Sequence, residues 1–119
     1  MRKRIMTYKT FDVVKVPFPF TDSAKRKRRP ALILSSEKNF NHKIGHSILA
    51  MITSAKNSPW PQDVPISNLK KAGLAAASVV RMKLFTLDHR FIIDGIGILA
   101  ELDQQAVIQA FLKTLDWNI

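Results

Sequence analysis

Five consecutive cations, Lys25, Arg26, Lys27, Arg28 and Arg29, stand between two apolar runs and end against Pro30. Residues of that type can gather phosphates: a lysine acts as a point charge, whereas a planar arginine grips two oxygens at once. Arg29 is set apart by its neighbour. A proline ring pushes the residue before it toward extended backbone, so Arg29 is expected where loop becomes strand, on a fixed main chain. A second pair of cations, Arg81 and Lys83, alternates with Val80, Met82 and Leu84. In a strand this displays both cations on one face and the apolar side chains on the other. Taken alone, the basic run and Arg29 read first as solvated loop cations, a patch for solubility or localisation.

The histidines carry less. His42 and His46 are four apart, a spacing that suits a metal only on a helix, and here the segment is turn-rich with Gly45 between them. Both read as surface residues, and His89 as a turn residue. No metal site and no cofactor are expected. With no cysteine there is neither a disulfide framework nor a thiolate site. Phe18, Phe20, Trp60 and Trp117 could stack on unpaired bases, but aromatic side chains of this size read first as packing residues.

These side chains need a frame. After a basic lead-in over residues 1–10, the first strand is expected at 12–17, with Val14 and Val16 on one face and Val13 and Lys15 on the other. Pro17 and Pro19 cannot donate to a ladder, so that end leaves the sheet. Residues 31–35 form a second strand, apolar at Leu32, Ile33 and Leu34 as in a strand covered on both sides. A turn-rich connection follows, then a third strand at 47–53 with Ile48, Ala50 and Ile52 opposed to Leu49, Met51 and Thr53. Residues 55–65, with three prolines, form a loop. A short helical turn at 68–71 ends at Gly73. Strands are expected again at 78–85 and 91–99; in the latter Ile92, Ile96 and Ile98 share a face, and Gly95 and Gly97 indicate a bulge or a close backbone approach. Asp103 is read as the N-cap of an amphipathic closing helix bearing Val107, Ala110, Phe111 and Leu115. The result is a mostly β fold with helical additions (α+β), a small antiparallel barrel or half-barrel.

The chain has 119 residues, 46% hydrophobic and 24% charged, so one domain over 1–119 with one core is expected. Its unusual property is charge. Nineteen Lys and Arg against nine Asp and Glu give +10 and a pI near 10.3, which draws in polyanions, nucleic acid first among them. No apolar run approaches the roughly 20 residues of a spanning helix, which argues against a membrane protein. Met1 to Arg4 look like the start of a secretory signal, but polar Thr7, Lys9, Thr10 and Asp12 follow where an apolar segment is needed, so a cytoplasmic location is expected.

Several segments in order carry a family resemblance. Asp12-Val13-Val14 with Val16-Pro17-Phe18-Pro19-Phe20-Thr21-Asp22, then Arg28-Arg29-Pro30-Ala31-Leu32-Ile33-Leu34-Ser35, Ile52-Thr53-Ser54, Gly73-Leu74 and Ser78-Val79-Val80-Arg81 resemble the PemK/MazF toxins. The resemblance implies an SH3-like barrel with helices, a homodimer, a metal-independent endoribonuclease that cuts single-stranded messenger RNA, and an antitoxin that occludes the RNA groove. It implies catalytic roles for Arg29, which matches the arginine of the Arg-Pro element, and Thr53, which matches the threonine of the Thr-Ser element. RNA contact then falls to Lys25, Arg26, Lys27, Arg28, Ser54, Arg81 and Lys83. Lys83 stands where some members carry an acidic residue, and Phe11 where a glycine commonly precedes Asp12.

In the implied chemistry the ribose 2′-hydroxyl attacks its own phosphate and leaves a cyclic phosphate and a 5′-hydroxyl. Charge builds on the phosphorane oxygens, where a fixed donor is worth about 3 kcal/mol. Arg29 suits that position, and Thr53 can bond a phosphate oxygen or orient the 2′-hydroxyl. Two other readings compete. Trp117-Asn118-Ile119 resembles the Trp-Gly-Ile terminus by which CcdB toxins poison DNA gyrase, with Asn118 in place of the glycine; alternatively the barrel binds RNA without cutting it.

Overall fold

Valine alternation builds the first strand as its period requires. The computed structural model describes residues 7–17 and 27–117. In it β1, Asp12–Pro17, turns Val14 and Val16 to one apolar cluster and Val13 to another on the opposite face. β2, Arg28–Ile33, starts earlier than the 31–35 expected, because Arg28 and Arg29 already pair with Pro17 and Val16 of β1. Leu32 enters one cluster and Ile33 the other, so this strand is covered on both sides. β3, His46–Ser54, splits in the same way, with Ala50 and Ile52 against Leu49.

Between β2 and β3 the turn-rich connection proves helical. Glu37–Asn41 is one π-type turn, closed by Asn41 N–H donating 2.8 Å to the Ser36 carbonyl, and it continues into α1, His42–Ile44. β4 is only Val64–Pro65, and α2, Leu69–Ala72, is capped by the Asn68 side chain and stopped by left-handed Gly73. β5, Ser78–Asp88, is longer than expected. Met82 and Lys83 are extra residues in its ladder with β3, where Ala50 pairs with Leu84 but Met51 pairs with Arg81. Two extra residues leave the faces in phase, so Val80, Met82 and Leu84 still share one cluster.

The expected strand at 91–99 is shortened to β6, Asp94–Ile98, because Asp88 caps a tight turn at His89–Phe91. Ile92 therefore lies outside the strand, and Ile98 is half exposed rather than packed. The helix α3, Glu101–Leu115, also corrects an expectation: its N-cap is Ala100, not Asp103. Asp103 is 3% exposed and faces away from its own helix end. Its carboxylate accepts from Ser67 N–H at 3.0 and 3.1 Å, Ser67 Oγ–H at 2.7 Å and Asn68 N–H at 3.1 Å, so it ties α3 to the segment before α2.

The strands form one antiparallel sheet in the order β4-β5-β3-β2-β1-β6. Among the described residues the outer strands β4 and β6 do not pair, so the sheet is a curled half-barrel rather than a closed one. α2 fills the gap. A Cβ on Gly97 would come 2.4 Å from the Ala72 backbone, and one on Gly73 would come 1.9 Å from the Ile96 carbonyl oxygen. The expected close approach at the β6 glycines is therefore α2 lying on bare backbone, beside a bulge between Val13 and Val14 of β1. Inside the curl, Val13, Leu32, Ala50, Ile52, Val80, Leu99 and Val107 form the main cluster. Among the described residues no helix is long and apolar enough to cross a membrane.

Candidate functional site

Antiparallel pairing decides which residues share the sheet's rim. The end of β1, the start of β2, the end of β3 and the start of β5 all lie at one edge, with Pro17 opposite Arg28 and Ser54 opposite Ser78. β2 and β3 are paired as far as Ala31 and Met51. Two residues beyond that pair, on the same face, come Arg29 on β2 and Thr53 on β3. Arg81 belongs to this face as well, because its partner in the ladder is Met51. Arg29, Thr53 and Arg81, far apart in sequence, thus share one face at one end of three neighbouring strands.

Arg29 is exposed and has Val16 across the ladder, so its main chain is fixed at the rim. Thr53 is partly buried, and its Oγ1 accepts a 2.6 Å hydrogen bond from the Asn57 side-chain amide. A hydroxyl that accepts in this way keeps its own O–H to donate elsewhere. Sequence reasoning missed Asn57, whose amide is brought back by the turn after β3. That turn is set by Asn57 N–H donating 3.1 Å to the Ser54 carbonyl, and by Ser54 Oγ accepting from Lys56 N–H at 3.1 Å. Ser54, expected at RNA, therefore has its hydroxyl engaged in shaping the loop.

Arg81 is likewise committed. Its Nε and Nη2 donate to the two Asp63 carboxylate oxygens at 3.1 and 2.9 Å, and Nη2 also donates 2.8 Å to the Ser58 carbonyl. Its side chain is 10% exposed and that of Asp63 13%. Burial pushes the Asp63 carboxyl up, but the Arg81 fork and the Trp60 backbone N–H outweigh it and hold the group below the usual carboxylate range. The pair clamps the loop at both ends of Trp60. That ring lies over the Arg81 guanidinium, 5.1 Å from its carbon, and over Lys83 Nζ at 5.6 Å, so the two alternating cations do share a face. Trp60 is 41% exposed and Trp117 61%, which corrects the reading of both as packing residues.

Of the basic run, Lys27 and Arg28 are exposed at the rim. Lys25, Arg26, Phe18 and Phe20 lie outside the described residues, as do Asn118 and Ile119. The histidines sit at the other end of the sheet. His46 opens β3, seven residues from Thr53, roughly 23 Å along an extended strand. His42 is exposed, as expected. His89 is in a turn, but its Nε2 is 2.7 Å from the buried Ser47 hydroxyl and its ring meets Tyr8 edge-on. Burial lowers the His89 pKa, and none of these imidazoles reaches the Arg29–Thr53 face.

A sequence model of one family, described as "PemK-like, MazF-like toxin of type II toxin-antitoxin system", matches residues 9–115. This chain belongs to that family. The fold agrees: the Mycobacterium tuberculosis toxin MazF-mt6 superposes with a TM-score of 0.73 at 23% identity, covering 91% of this chain and 99% of that one. MazF from Deinococcus radiodurans gives 0.73 at 19% identity, over 95% and 100%. A mycobacterial endoribonuclease in complex with its cognate antitoxin gives 0.73 at 15% identity, over 94% and 98%. Comparison with curated protein sequences gave no match.

Within this PemK/MazF-type chain the departure at Phe11 acquires a physical meaning. Its φ is +75°, in the left-handed region that glycine enters without cost. Phe11 holds it because its N–H donates 2.7 Å to the Ile33 carbonyl, its carbonyl accepts from Leu99, and its ring packs on the main cluster. Asp12 closes the turn before it by accepting 2.9 Å from Lys9 N–H. In this toxin-family chain Asp12 is thus a turn-forming residue.

Proposed function

We propose that this PemK/MazF-family chain is an endoribonuclease that cuts single-stranded messenger RNA without a metal, through the substrate's own 2′-hydroxyl. The carrying observation is the common face of Arg29 and Thr53, with the Thr53 hydroxyl oriented by Asn57. The 2′-oxygen forms a bond to phosphorus as the bond from phosphorus to the 5′-oxygen breaks. The proton lost by the first is balanced by one gained by the second, leaving a 2′,3′-cyclic phosphate and a 5′-hydroxyl. Arg29 meets the charge on the non-bridging oxygens with two parallel donors, and Thr53 donates to one of them. Lys25 to Arg28 and Lys83 gather the RNA backbone. Arg81 acts as a positioning residue that holds the loop carrying Asn57. The active form is a homodimer, and an antitoxin, the kind of partner bound to the mycobacterial structural neighbour, covers the groove.

Incubation with a long single-stranded RNA and excess chelator tests this. Discrete fragments are expected from the wild type, with at least about a 100-fold loss in Arg29→Ala, the scale of one transition-state donor. Intact RNA, or full activity in the variant, overturns the assignment. A second reading has one observation in its favour: Trp117 is exposed, as a gyrase-directed C-terminus requires. Removing residues 117–119 separates the two, because toxicity lost with RNA cleavage intact favours gyrase poisoning.

A further inference from the structure

We propose that Trp60 is a stacking platform that seats an unpaired nucleobase next to the scissile phosphate. The proposal rests on the endoribonuclease reading for the position of the phosphate, and on separate observations for the platform. A tryptophan is ordinarily buried for its large apolar area. Here 41% of it is exposed, yet it is held firmly. Its N–H donates 2.9 Å to Asp63 Oδ2 and its carbonyl accepts from Asp63 N–H at 3.3 Å. Pro59 and Pro61 restrict the chain on either side. The Arg81 guanidinium, itself fixed by Asp63 and Ser58, supports the ring at 5.1 Å. An exposed aromatic surface ordered before any ligand arrives forfeits little freedom on binding.

Its position links it to the reacting centre. Arg81 pairs with Met51, two residues or about 7 Å along β3 from Thr53. The same loop carries Asn57, which holds the Thr53 hydroxyl. The loop therefore offers, in order, a group that orients a phosphate-binding hydroxyl and a flat apolar ring, and β5 sets the cations Arg81 and Lys83 against that ring. Single-stranded nucleic acid presents the matching alternation of phosphate and planar base, and any base has a face to stack. Among the described residues the other exposed aromatics lack this link: Phe91 lies under Arg90 on the segment between β5 and β6, and Trp117 follows α3.

In a Trp117→Phe background Trp60 is the sole tryptophan, since the chain has two. Its fluorescence is followed during titration with a 2′-O-methylated RNA oligomer, which the proposed chemistry does not cut, and with an abasic oligomer of the same length. Saturable quenching by the first and little by the second is expected. In the cleavage assay Trp60→Ala should raise KM about 5–100-fold at unchanged thermal stability, with Trp60→Phe restoring most of the loss. Equal response to both oligomers, or an unchanged KM in Trp60→Ala, overturns the platform. If wild type cuts RNA and Trp60→Ala cuts it equally well, the platform fails and the nuclease stands. If base-dependent quenching occurs with no cutting, the platform stands and the nuclease fails.

Discussion

At the residue scale, the group proposed to work at this site is a hydroxyl whose direction is imposed by a neighbour. Thr53 Oγ1 accepts from Asn57, which leaves its own O–H to donate, in the proposed chemistry to a phosphate oxygen. The expected outcome is that Asn57→Ala lowers kcat about tenfold with little change in KM, because misdirecting a donor costs more in the transition state than in binding. Thr53→Ser should keep most activity and Thr53→Val should lose it; steady-state kinetics on a short RNA checks all three. Equal KM and kcat in Asn57→Ala and wild type would remove Asn57 from the site. Arg29 could be singled out from the chain alone, since Pro30 dictates its backbone. Asn57 could not, because its amide finds Thr53 only through the turn that Ser54 closes. Trp60 departs from the expectation of packing because burial is only the usual fate of an indole. Only the Arg81–Asp63 pair, 18 residues apart, shows why this one stays out.

At the element scale, period-two alternation placed the strand faces correctly, since Val13, Leu32, Ala50, Ile52 and Val80 meet in one cluster. Helix ends were less legible. An aspartate before apolar residues is a sound local signal for an N-cap, but Asp103 satisfies N–H groups 36 and 35 residues earlier in the chain. Burial pushes this carboxyl up, yet the hydrogen bonds from Ser67 and Asn68 outweigh it and leave the group below its ordinary value. A depressed folded pKa contributes stability that is fully present above the unfolded value, about 4, and is lost as pH falls through the lower folded value. Asp103→Asn should therefore cost about 2–3 kcal/mol at neutral pH, because it removes the charge and turns one of the two acceptor oxygens into an NH2 that faces the part-buried donors of Ser67 and Asn68. The difference from wild type should shrink steadily below about pH 4. Denaturant unfolding at several pH values checks it, and a pH-independent difference would contradict it.

At the scale of the whole molecule, three features combine. Among the described residues a half-barrel leaves β4 and β6 not paired with each other, α2 packs closely on β6 through Gly73 and Gly97, and the curl brings the ends of β1, β2, β3 and β5 to one rim. The chain's net charge of +10 creates a field that attracts polyanions, as the proposed RNA substrate requires. The packing of α2 on β6 is beyond sequence reasoning because it depends on backbone meeting backbone; Gly95 and Gly97 signal a close approach without naming what approaches. The measurement that tests the account most directly places a single 2′-deoxynucleotide at a mapped cut site in an otherwise ribose oligomer, with chelator present. Cleavage at that bond should vanish while other sites are still cut, and every product should carry a 5′-hydroxyl. Cleavage that persists at the deoxy position, or products with 5′-phosphate, would contradict the 2′-hydroxyl mechanism on which the roles of Arg29 and Thr53 depend.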